Sequence, residues 1–190
     1  INFVQGRETD RVTVVIFGTN AALLTPPTLD MNAVETFIDA IHPNIIRNQS
    51  TAIGDGLAMA VKKLEDSPAD SRVVILLTDG ENNSGELEPL KAAEIAKALD
   101  VRVYTIGVTS RRARGFGGVP MVRGSLNNKV LQNVAEMTGG RYFQATDEES
   151  LQEIYKEIDR MEKSEIEVYQ TTDFDERFML FWFPGLAILG

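Results

Sequence analysis

The chain has 190 residues, 43% hydrophobic and 25% charged, the balance of a soluble globular domain long enough to bury a core. Its 19 Lys and Arg against 28 Asp and Glu give a net charge of −9, which argues against recognition of nucleic acid by charge. The absence of cysteine and a single histidine, His42, exclude disulfides, thiolate nucleophiles and Cys-based zinc sites, and leave little material for a serine-type triad.

From Arg11 onward two periodicities alternate. "VTVVIF" (Val12 to Phe17) is β-branched and continuous, as expected of a strand covered on both faces. "ALLTPPT" (Ala22 to Thr28) reads as a short extended piece that Pro26 and Pro27 confine to a sheet edge. Asp30 is placed to cap a helix with Val34, Phe37, Ile38 and Ile41 on one face. His42 precedes Pro43 where that helix should end, and is read as structural or exposed. After "HPNIIRNQS", Ile53, Leu57, Val61 and Leu64 mark a second helix, and "RVVILLTDG" is a buried strand.

Ala92, Ile95, Ala96 and Leu99 mark the next helix, and Val101 to Val108 the next strand. A loop rich in glycine and arginine follows, then a helix through Val130, Leu131, Val134 and Ala135 that stops at Gly139-Gly140. "RYFQA" is a short strand, and Thr146 to Glu149 have the spacing of a capping box for a last helix bearing Leu151, Ile154, Tyr155 and Ile158. Strands alternating with helices predict an α/β three-layer sandwich, whose ligand site lies beyond the carboxyl ends of its strands.

Asp79 sits at one such end, after five apolar residues. A phosphoacceptor would need a second carboxylate beside it for Mg²⁺, but residue 77 is Leu. A dinucleotide site needs G-x-G-x-x-G directly after a strand, and "GFGGVP" (Gly115 to Pro120) lacks that spacing. A third possibility is an ion held by hydroxyls with carboxylates close behind. Ser50 and Thr51 lie just before the second helix, with Gly54 and Gly56 permitting close backbone approach. The plain alternative is that Ser50 or Thr51 is merely the N-cap of that helix.

Taken together, "STAIGDGLAMAV", "VVILLTDGENN" and "VRVYTIGV", in this order, resemble the von Willebrand factor A family from Ile1 to about Lys163. "LQNVAEMTGGRYFQATDEESLQEIYKEID" further resembles its membrane-anchored Bat (Bacteroides aerotolerance) branch, BatA or BatB. The resemblance implies a mostly parallel sheet with one antiparallel edge strand. It also implies a metal-ion-dependent adhesion site for Mg²⁺ or Mn²⁺, in which Thr51 supplies a hydroxyl and Asp79 acts through water or at the rim. Ser50, Gly54 and Gly80 would surround that site. Such an ion, held by neutral hydroxyls, keeps charge to spare for a carboxylate offered by a protein partner, which suits binding and not catalysis.

The family's Asp-x-Ser-x-Ser motif, which ends its first strand and carries most of the direct ligands, does not occur in this sequence. The expectation is that the first strand is missing, that it belongs between the strands at Val12 to Phe17 and Val73 to Leu77, and that metal binding by this chain is weak. The domain is expected over residues 1–165, a juxtamembrane linker over 166–177, and the start of a transmembrane helix over 178–190, where "FMLFWFPGLAILG" is almost wholly apolar.

The leading functional expectation is a non-enzymatic interaction module at a bacterial cell membrane, with the domain on the periplasmic side. Other Bat-family or tetratricopeptide-repeat proteins would be its companions in an envelope stress-tolerance complex. The alternatives are an adaptor subunit of a chelatase-like AAA+ machine and a scaffold without metal. Arg111, Arg112, Arg114 and Arg123 form a basic island in an acidic chain, either a solvated loop or a partner contact.

Overall fold

The computed structural model describes residues 10–41, 50–69, 71–78, 82–108 and 125–178, and of residues 125–127 and 164–178 the backbone alone. In chain order the elements are β1 (Val12–Phe17), β2 (Ala21–Thr28), α1 (Met31–Asp39), α2 (Ile53–Leu64), β3 (Val73–Thr78), α3 (Pro89–Ala98), β4 (Arg102–Val108), α4 (Ser125–Met137), β5 (Tyr142–Ala145) and α5 (Glu148–Phe178).

Strands β3, β4 and β5 form a parallel sheet in that spatial order. Successive side chains of a strand point to opposite faces, so β4 divides its residues between two cores. Val103 faces a cluster built from Ile53, Leu57 and Val61 of α2, Ala92, Ala93 and Ala96 of α3, and Leu131 and Val134 of α4. Tyr104 and Ile106 face the opposite cluster, with Phe143 and Ala145 of β5 and Ile154 and Ile158 of α5. The layers are helix, sheet, helix, as the sequence pattern predicts. Thr105, fully buried between β4 and α4, donates its hydroxyl proton to the Leu131 carbonyl at 2.9 Å, which relieves the cost of burying it.

The remaining strands stand apart. β1 and β2 form an antiparallel ribbon, and among the described residues no ladder joins β1 to β3. This modifies two expectations. β1 reads as covered on both faces, yet all six of its residues are half-buried. β3 reads as fully buried, yet Leu77 is 40% exposed. Among the described residues each is paired on one side only, and an apolar run is wholly enclosed only where neighbours close both edges, as at β4. Helix α2 packs on β1, β2 and β3, and so holds the two ladders in one body.

Helix starts follow local chemistry. Asp30 caps α1 as expected, its carboxylate accepting from the Ala33 N–H at 3.0 Å. The cap of α5 is displaced by one residue from the expected Thr146/Glu149 box. Asp147 accepts from the Ser150 N–H at 2.9 Å, and Ser150 Oγ accepts from the Asp147 N–H at 3.2 Å. Two apolar residues fall off their expected faces: Phe37 on α1 is 48% exposed and Ile95 on α3 is 44% exposed. On α3 the small residues Ala92, Ala93 and Ala96 make the buried stripe instead, letting the helix lie close to its neighbours.

At the amino ends of β3 and β4, α5 is locked by one carboxylate. Glu162 Oε1 accepts from Arg102 and from the Tyr104 hydroxyl, both at 2.6 Å, and Oε2 accepts from Ser71 Oγ at 2.8 Å. Beyond this lock α5 continues as helix through residues 166–177, the stretch expected as a linker. Residues 179–190 lie outside the described residues. No helix among the described residues is long and apolar enough to cross a membrane.

Candidate metal site

The carboxyl end of β3 and the start of α2 meet through a set of reciprocal hydrogen bonds. Helix α2 begins at Ile53 with Ala52 as its N-cap, a residue without a capping side chain. Neither Ser50 nor Thr51 therefore serves as the cap, contrary to the plain reading of that stretch. The orphan N–H of Ile53 donates instead to the Asn82 side-chain oxygen at 2.9 Å. Asn82 arrives from the loop that follows β3.

Thr51 is tied by its backbone on both sides. Its N–H donates to the Asn83 side-chain oxygen at 2.7 Å. Its carbonyl accepts from the Asn83 N–H at 3.1 Å and the Ser84 N–H at 3.3 Å. The next residue, Ala52, donates its N–H to the Gly18 carbonyl at 2.7 Å, just past β1. The start of α2 is thus fixed between the ends of β1 and β3, which no ladder joins among the described residues.

The exchange runs in both directions. Asp55, in the first turn of α2, accepts from the Leu87 N–H at 2.9 Å and the Glu86 N–H at 3.1 Å. Its charge also lies at the positive end of the helix dipole. Two glycines permit the contact. A Cβ on Gly54 would collide with the Leu87 carbonyl. Gly85 has φ +103°, and a Cβ there would come within 2.9 Å of both Ala52 Cβ and Asp55 Oδ2.

With its backbone so occupied, Thr51 is half-buried, and among the described residues nothing takes up its hydroxyl. Two neighbours in the chain path add to this. Thr19 Oγ1, next to Gly18, and Ser84 Oγ are buried without a hydrogen-bond partner among the described residues. A buried hydroxyl left unsatisfied costs about 1–3 kcal/mol, so such groups mark places where a water or an ion belongs. Hydroxyl oxygens suit a hard divalent cation that keeps part of its hydration shell. Among the described residues no group of three or more His, Asp or Glu side chains forms a cage. By the chemistry of its donor, the Thr51 hydroxyl fits as one member of an oxygen shell and not as the whole of one.

Of the residues that the sequence singles out, Thr51, Ser50 and Gly54 come together at this junction. Thr78, 7% exposed, closes β3 opposite Gly107 of β4. Asp79 and Gly80 lie outside the described residues, as do His42 and Arg111, Arg112, Arg114 and Arg123. Sequence reasoning missed Asn82, Asn83 and Asp55. The signal was present: two asparagines follow a strand end and precede a glycine, and an acid stands in the first turn of the helix they cap.

Residues 1–157 match the family profile of the von Willebrand factor type A domain. The fold is similar to that of the protein BatB from Bacteroides thetaiotaomicron, with 28% identity, a TM-score of 0.66, and coverage of 85% of this chain and 84% of that one. It is similar to an aerotolerance-related membrane protein from Bacteroides fragilis, with 25% identity, a TM-score of 0.65, and coverage of 82% and 81%. A third similar structure is proximal thread matrix protein 1 from the mussel byssus, with zinc in its metal-ion-dependent adhesion site. There the identity is 28%, the TM-score 0.58, and the coverage 83% of this chain and 37% of that one. The chain spans about half the length of the curated relatives it matches.

Proposed function

The chain belongs to the von Willebrand factor type A family, and on that premise we propose that it is a divalent-metal-dependent protein-interaction module of a membrane-anchored bacterial protein. In this reading Thr51 and Asp79 hold Mg²⁺ or Mn²⁺, and a carboxylate of the partner completes the shell. The observation that supports it is Thr51: its backbone is held at both N–H and C=O, and among the described residues its hydroxyl is left over. The mussel protein supports a divalent ion at this kind of site, and the Bacteroides fragilis protein supports the membrane setting.

In this reading the Thr51 hydroxyl is offered to the ion, and the other groups gathered here brace it. Asn82 and Asn83 are amides, Thr51 is an alcohol, and the carboxylate of Asp55 is committed to two backbone N–H groups. Side chains committed to bracing the backbone and a hydroxyl offered to an ion suit adhesion. The apolar run at 178–190 is the anchor in this reading, and the partners are proteins of the same envelope assembly.

Calorimetric titration with MgCl₂ and MnCl₂ tests it. The wild type should take up one ion, weakly, and Thr51→Ala and Asp79→Ala should each abolish uptake while the circular dichroism spectrum is kept. Equal uptake by all three would overturn the site.

A further inference from the structure

We propose that Asn83 is a positioning residue for the Thr51 hydroxyl, the centre of a clasp completed by Asn82 and Asp55. The inference rests on the metal-site reading above and concerns how that site is held in shape.

One residue grips another here at two points. Asn83 accepts from the Thr51 N–H through its side chain at 2.7 Å and donates its own N–H to the Thr51 carbonyl at 3.1 Å. A backbone N–H can only donate, so an oxygen must stand at this position of residue 83. The grip fixes the peptide planes on both sides of Thr51 Cα, and hence the direction of its Cβ. The hydroxyl then retains only the rotation about χ1.

On either side the clasp is secured by a neighbour: Asn82 holds the Ile53 N–H at 2.9 Å, and Asp55 holds the Leu87 N–H at 2.9 Å. Among the described residues Thr51, just before α2, and Asn82 and Asn83, past the end of β3, belong to different parts of the chain. The two asparagines therefore couple the start of α2 to the loop that follows β3. A metal affinity that depends on ligand placement should depend on this coupling, since weak oxygen donors hold a hard cation only when preorganised.

The probe is Mn²⁺, read by the loss of its free electron paramagnetic resonance signal in the intact protein. Asn83→Ala should weaken binding about 10-fold or more, the usual consequence of removing a partner of a ligand. Asn83→Asp, which restores an acceptor oxygen, should recover the wild-type affinity or exceed it. The decisive comparison is the double variant: Asn83→Ala should cost no further affinity once Thr51 is already Ala, because the residue acts through Thr51.

Wild-type affinity in Asn83→Ala, or an equal loss with and without Thr51, overturns the positioning role. Where Asn83→Ala does not fold, Asn83→Leu, which keeps the side chain's size and removes the acceptor oxygen, carries the same comparison. Wild-type affinity in Thr51→Ala overturns the metal-site reading itself, and is told apart because it requires no change at Asn83.

Discussion

The carboxylate of Glu162 meets the hydroxyl of Tyr104 at 2.6 Å, and the same oxygen meets Arg102 at 2.6 Å. A 31-residue helix is thereby fastened to the amino end of the sheet, at the edge opposite the candidate metal site. Burial first, and the Glu162 carboxylate second, push the Tyr104 phenol well above its usual value of about 10.

Alkaline pH should therefore weaken the fold. Above pH ~10 the unfolded chain releases the Tyr104 proton while the folded chain keeps it, so stability falls as pH rises. Below that range the contribution is constant. Tyr142 and Tyr155, both raised by burial, act in the same direction. Urea midpoints between pH 8 and 11 should decline in the wild type and decline less steeply in Tyr104→Phe. At pH 7 Glu162→Gln should cost about 2 kcal/mol, because Arg102 and Tyr104 both lose a charged acceptor. A flat alkaline profile in the wild type would contradict the buried-phenol account.

The glycines near α2 and α4 allow a comparison of strain with and without collision. Gly139 has φ +75° and open space around it, so Gly139→Ala should cost only the left-handed strain, about 1–2 kcal/mol. Gly85 has φ +103° and a filled neighbourhood, with Ala52 Cβ and Asp55 Oδ2 each 2.9 Å from where an added methyl would stand. Gly85→Ala should cost more than Gly139→Ala and should also loosen the Asp55 contacts to Glu86 and Leu87. Chemical denaturation gives the first comparison, and hydrogen exchange at the Glu86 and Leu87 amides the second. Equal costs would mean that the loop yields around the added methyl.

Much of the fold is legible in the sequence because period and punctuation speak for themselves. Ile53, Leu57 and Val61 on α2 and Ile154 and Ile158 on α5 are buried where helical spacing puts them. The cap of α5 is harder to place, because Thr146, Asp147 and Ser150 are all competent caps and only the backbone decides among them. Phe37 and Ile95 fall outside the core because hydrophobicity alone does not say which neighbour is present to cover a face. The Asn83 grip on Thr51 is not legible at all: it joins residues 32 apart through a side-chain oxygen, and no local pattern encodes such a contact.

Metal and scaffold are separable at Thr51. This residue contributes its backbone to the clasp, and among the described residues its hydroxyl is unused, so Thr51→Ala should leave the metal-free melting temperature nearly unchanged. Asn83→Ala removes an exposed hydrogen bond to the Thr51 N–H and should lower it, by the equivalent of about 0.5–1 kcal/mol. Added MnCl₂ should sort the proteins differently. An ion that binds only the folded state stabilises by RT ln(1 + [L]/Kd), about 2.7 kcal/mol at a hundredfold excess over Kd. The wild type should therefore melt higher in saturating Mn²⁺, whereas Thr51→Ala should show no rise at the same concentration. A Thr51→Ala variant that is destabilised without metal, yet still gains from it, would show that the hydroxyl serves the fold and that the ion binds elsewhere.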